Sequence, residues 1–149
     1  MKTMRMVIVA AVAISAAAQN HAPISDKERL IGAWRLVSIT GPDGKPVSGL
    51  PQGLLLYTRD GHMSVQLMYP EAANAQSNEY VKNGYEASFG SYDVNEATHV
   101  LTHHVQGSVT RGLLVGKDLP RIYRLSAGGR LIIRSPRADE HWSVTWEHY

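Results

Sequence analysis

At 149 residues the chain has room for one domain of ordinary size. Its 44% hydrophobic and 19% charged residues exclude a disordered or low-complexity protein, and the absence of cysteine excludes disulfides, thiolate metal sites and cysteine nucleophiles. The formal net charge of +2 has to be located before it suggests a nucleic-acid partner.

Lys2 and Arg5 precede a small and apolar run, Met6 to Ala18, broken only by Ser15. A charged head, an apolar stretch and the small trio Ala16-Ala17-Ala18 predict a cleavable secretory signal peptide over residues 1–18, hence a periplasmic or extracellular protein. The run is shorter than the roughly 20 residues that span a bilayer, so no membrane span is expected once the signal is removed. Lys2 and Arg5 are two of 15 basic residues, and their loss leaves 13 against 13 acidic. A chain so balanced offers no basic face, and no nucleic-acid partner is expected.

Residues 19–29 form a polar lead-in with a capping-box spacing, Ser25 and Glu28, that predicts a short helix. The barrel domain is placed over 30–149. Trp34, Leu36 and Ser38 then alternate with Arg35, Val37 and Ile39 on a first strand that Gly41-Pro42-Asp43-Gly44 stops. Gly53–Thr58 is a second strand, and Asp60-Gly61 supplies the turn into a third, His62–Tyr69, which alternates cleanly. Residues 70–84, rich in Ala, Asn, Gln and Glu, read as a short helix or loop insertion. Strands resume at 86–94, 98–108, 120–126, 130–135 and 141–148, with turn residues at Asn95-Glu96 and Gly128-Gly129. Eight strands without room for crossover helices predict an all-β fold, an antiparallel up-and-down β-barrel whose closure removes exposed edges.

Gly32-Ala33-Trp34 resembles the Gly-x-Trp signature that opens lipocalin barrels. The wider runs Leu30–Leu36, Gly53–Ser64, Tyr85–Tyr92, His103–Ser108, Arg121–Leu125 and Trp146-Glu147 resemble the bacterial and fungal lipocalin-like domain family over residues 30–148. The last strand has no Arg to pack on the signature Trp, and the Thr-Asp-Tyr type motif of animal lipocalins is absent. The resemblance therefore implies the calyx-shaped barrel and not the ligands of the animal transporters.

Parity along the strands nominates the interior. Trp34, Met63, Phe89, Trp142 and Trp146 mark apolar faces that would wall a cavity, and Tyr57, Tyr92 and Tyr123 add phenols within it. His103 shares a face with Leu101 and Val105, which points it inward and His104 outward; both are candidate ligand contacts. An inward imidazole could serve as an acid–base group or as a neutral hydrogen-bond partner. Neither the adjacent pair His103-His104 nor His99 and His103 can share one metal, so no metal site is expected, and no fingerprint calls for a cofactor. Arg124 reads as outward.

Three functions are compatible with these residues. The first is binding of a small hydrophobic molecule in the cavity. The alternative is a cofactor-independent isomerase, cyclase or lyase on a lipophilic substrate, with catalytic His103 and a tyrosine, Tyr57 or Tyr92. The third is a filled barrel acting through its outer surface, as a homodimer.

Overall fold

The computed structural model describes residues 23–49, 51–70 and 77–149. The expected leader, residues 1–18, and the middle of the 70–84 insertion lie outside the described residues. The Ser25 hydroxyl accepts a hydrogen bond from the Glu28 amide at 3.2 Å and opens a short helix, α1 (Asp26–Leu30). The reciprocal half of the capping box is replaced by an ion pair between Glu28 and Arg59, which ties the helix to the turn after the second strand.

Eight strands follow: β1 (Gly32–Thr40), β2 (Gln52–Tyr57), β3 (His62–Met68), β4 (Tyr85–Asn95), β5 (Val100–Ser108), β6 (Asp118–Leu125), β7 (Arg130–Arg134) and β8 (Ser143–His148). Each pairs antiparallel with its neighbour in sequence, and β8 returns to β1 to close the barrel. The Asp60-Gly61 turn forms as expected, with Gly61 at φ +88° and its amide bonded to the Thr58 carbonyl. A one-turn helix, α2 (Arg111–Leu114), fills the β5–β6 connection, and its Leu114 is buried.

Two bulges adjust the closure. On β1 the register slips between Leu36 and Ser38, so Val37 is the extra residue and Ile39, rather than Ser38, returns to the interior. On β5 the register slips opposite Phe89 and Gly90, leaving Gln106 unpaired with β4. The inward positions of β4 are thus Ser88, Gly90 and Tyr92. Phe89, expected inside, is 57% exposed on the outer face. It is three residues from Tyr92, and no regular strand turns both to one side. Its ring covers the bare backbone of Gly107.

The two ends of the barrel differ. At the end where α1 crosses, Leu30, Trp34, Tyr57, Met63, Tyr92, Leu101, Tyr123 and Leu131 fill the interior. Trp34 is 1% exposed, donates its indole N–H to the Leu30 carbonyl at 2.8 Å and stacks on His148 with ring centroids 3.6 Å apart. His148 of the last strand, which has no arginine, thus packs on the signature tryptophan. At the other end, the strands open around free volume.

Candidate functional site

The open half holds a cavity of about 650 Å³, within the range that accommodates a small organic ligand. Leu55, Val65, Leu67, Ile133, Val144 and Trp146 form its apolar wall. They come from β2, β3, β7 and β8, at the positions whose alternation is visible in the sequence. Segments 39–48 and 78–81 and the residue Trp142 surround the mouth.

His103 also lines the cavity, 7% exposed. Its Nε2 shares a 2.7 Å hydrogen bond with the Tyr57 hydroxyl, which is itself buried behind it. Burial, reinforced by the nearby Arg121 and His104 charges, lowers the His103 pKa to about 3. Burial also raises the Tyr57 pKa well above its ordinary value. Both groups are therefore neutral at physiological pH. In the tautomer in which the phenol donates to Nε2, the imidazole proton sits on Nδ1, which has no hydrogen-bond partner among the described residues. His103 is in this state a fixed neutral donor, available to a ligand carbonyl or hydroxyl.

The polar groups that sequence reasoning missed stand on β4, β6 and the flanking loop. Glu86 lines the cavity, accepts a 3.4 Å hydrogen bond from the Tyr69 hydroxyl, and has its pKa raised to about 7 by burial, against the opposing influence of Arg121. Arg121 projects inward from β6, its guanidinium carbon 5.4 Å from the centre of the Tyr80 ring and 5.0 Å from that of Trp142. Its position follows from parity with Leu119 and buried Tyr123. Arg124, expected outward, lies on the opposite face and is exposed.

Of the ligand contacts expected from the sequence, His103, Trp142 and Trp146 line the cavity. Tyr57 stands one layer behind His103. Trp34, Met63, Tyr92 and Tyr123 belong to the filled half and do not reach the free volume. The Tyr92 hydroxyl is bonded to the Thr58 carbonyl at 2.9 Å and that of Tyr123 to Asp26 at 3.0 Å, so these two phenols secure the closed end. Tyr57 and Tyr92 therefore present no hydroxyl to a cavity-bound substrate. Phe89 and His104 lie outside the barrel.

His104 has a different task. Its Nδ1 lies 2.6 Å from Asp118 and its Nε2 2.9 Å from Asp93, so the ring bridges carboxylates on β4 and β6 from its place on β5. Both nitrogens can donate only when the ring is protonated, and these bonds, Asp118 first, raise its pKa from 6.5. A raised folded-state pKa gives stability that is complete below 6.5 and is lost as pH rises through the folded value. We expect the urea midpoint to fall across that interval and the His104→Asn variant to show less of this dependence. The cluster is solvent-exposed, so the effect should stay within about 1 kcal/mol. An identical pH profile in the two proteins would contradict the bridge.

No curated protein matches the chain. Among solved structures, a variant of the fluorescent protein UnaG is similar to it at 11% identity and a TM-score of 0.42, over 82% of this chain and 97% of that one. The model of the lipocalin-like domain matches residues 31–147, and with its closed eight-stranded barrel the chain belongs to that family.

Proposed function

We propose that the barrel binds a small hydrophobic molecule in its open half, after export by the leader at residues 1–18. The observation that carries this reading is a cavity of about 650 Å³ whose inner walls are aliphatic and tryptophan side chains, with polar groups gathered at its mouth and around His103, Glu86 and Arg121. Burial of apolar ligand surface against such walls gives roughly 25 cal/mol per Å² before the costs of association. A ligand that fills the space therefore has enough driving force for useful affinity. Neutral His103 adds one directional hydrogen bond at the inner end.

Trp142 and Trp146 are built-in reporters of occupancy. Titration with a panel of lipophiles should change tryptophan emission saturably, and mass spectrometry of the native protein should show a bound species that organic solvent removes. Trp142→Phe should reduce the optical signal while leaving the bound mass. A cavity that stays empty across the panel by both measurements would sink the proposal.

A further inference from the structure

We infer that the cavity selects an amphiphile with an anionic head, a carboxylate or a group of similar size, held by Arg121. The inference rests on the binding reading above and deepens it. Arg121 is permanently charged and lines the cavity. Among the described residues it makes no ion pair; its only hydrogen bond goes to the carbonyl of its own neighbour, Pro120. The two rings beside it, Tyr80 and Trp142, hold the guanidinium by cation–π attraction, which orients it without neutralising it.

The surroundings favour a ligand anion over an internal one. Glu86 is the acidic side chain whose ionisation Arg121 most directly influences, yet it forms no ion pair with it and titrates near neutrality. A carboxyl that is largely protonated below pH 7 does not neutralise the arginine and can itself donate to an incoming carboxylate, with Tyr69 alongside, while of the other lining carboxylates Asp43 and Glu79 are exposed and Glu140 is paired with Arg137. The charge of Arg121 also reaches inward, lowering the pKa of His103 and opposing the rise at Tyr57. The forked donors of an arginine set beside apolar walls suit a planar, two-oxygen anion. The aliphatic walls beyond it take the tail.

The test compares dodecanoate with methyl dodecanoate and dodecanol, read by tryptophan emission at constant ionic strength. The wild-type chain should bind dodecanoate about ten- to a hundred-fold more tightly than the ester, the range expected for hydrogen bonds to a charged partner. In Arg121→Met that preference should vanish while ester affinity is retained. Arg121→Lys should keep part of the preference, and added salt should erode the wild-type preference but not ester binding. The salt series and the lysine variant decide the matter even where the methionine variant folds poorly. Equal affinity of acid and ester in the wild type, or an equal loss of both in Arg121→Met, overturns the anion assignment and leaves the hydrophobic-cavity reading standing. Failure of all three probes to bind overturns that reading, and the assignment falls with it.

Discussion

Trp34→Ala is expected to destabilise the barrel by about 3–5 kcal/mol, the range for deleting a large buried aromatic side chain. Trp34 sits between α1 and the floor of the barrel with 1% of its surface exposed. Its removal leaves a cavity lined by rigid neighbours, strips the Leu30 carbonyl of its donor, and takes away the face on which His148 stacks. Domains of this size are stable by only about 5–15 kcal/mol, so a large share of the total disappears. Urea unfolding should show a much lower midpoint. His148→Ala is the informative companion. It removes the stacking partner from a ring that remains buried by everything else, and should cost no more than about 0.5–1.5 kcal/mol. If the tryptophan variant lost no more than the histidine variant, Trp34 would not be the closure of this end. The comparison also tests the packing that an imidazole supplies on a last strand with no arginine.

The barrel was legible in the sequence because period-two alternation is a local property of each strand, and here it recurs between recognisable turns. Met63, Val65 and Leu67 face the interior as their spacing predicts. His103 could be placed inward because Leu101 and Val105 flank it on the same face. Depth was not legible. Parity says which residues point inside, but not how far along the barrel each one lies, and that depends on strand tilt and stagger around the whole closure. Trp34, Met63, Tyr92 and Tyr123 are interior and yet belong to the filled half, whereas Trp142 and Trp146 reach the cavity. Phe89 lies outside because its parity relative to Tyr92, and not its apolar character, decides its face. Arg121 is the converse case: a charge on an inward position runs against the alternation that marks inward positions. Such a contradiction is where a binding site departs from what folding alone would select.

Gly90→Ala should be the most damaging single methyl that can be added to the sheet. The β5 bulge at Gln106 brings the backbone of His104 and Gln106 over the inner face of Gly90. A Cβ there would overlap the His104 carbonyl oxygen and lie 3.0 Å from the Gln106 amide nitrogen. Neither obstacle can swing aside, because both are main chain within a sheet. The two strands would have to part, so the cost should reach or exceed the upper end of the roughly 1–3 kcal/mol typical of overpacking. Gly107→Ala provides the control. Its new methyl meets the Phe89 ring, an exposed side chain that can rotate away, and the loss should be distinctly smaller. The functional consequence follows from the neighbours. Displacing β5 at His104 moves His103, which pairs across the ladder with Tyr92 and bonds Tyr57 at the inner end of the cavity. Gly90→Ala should therefore weaken binding of lipophilic probes even at temperatures where it remains folded, while Gly107→Ala binds as the parent does. Equal stability and equal probe affinity in the two variants would show that the bulge neither constrains the strand pair nor positions the cavity's only histidine among the described residues.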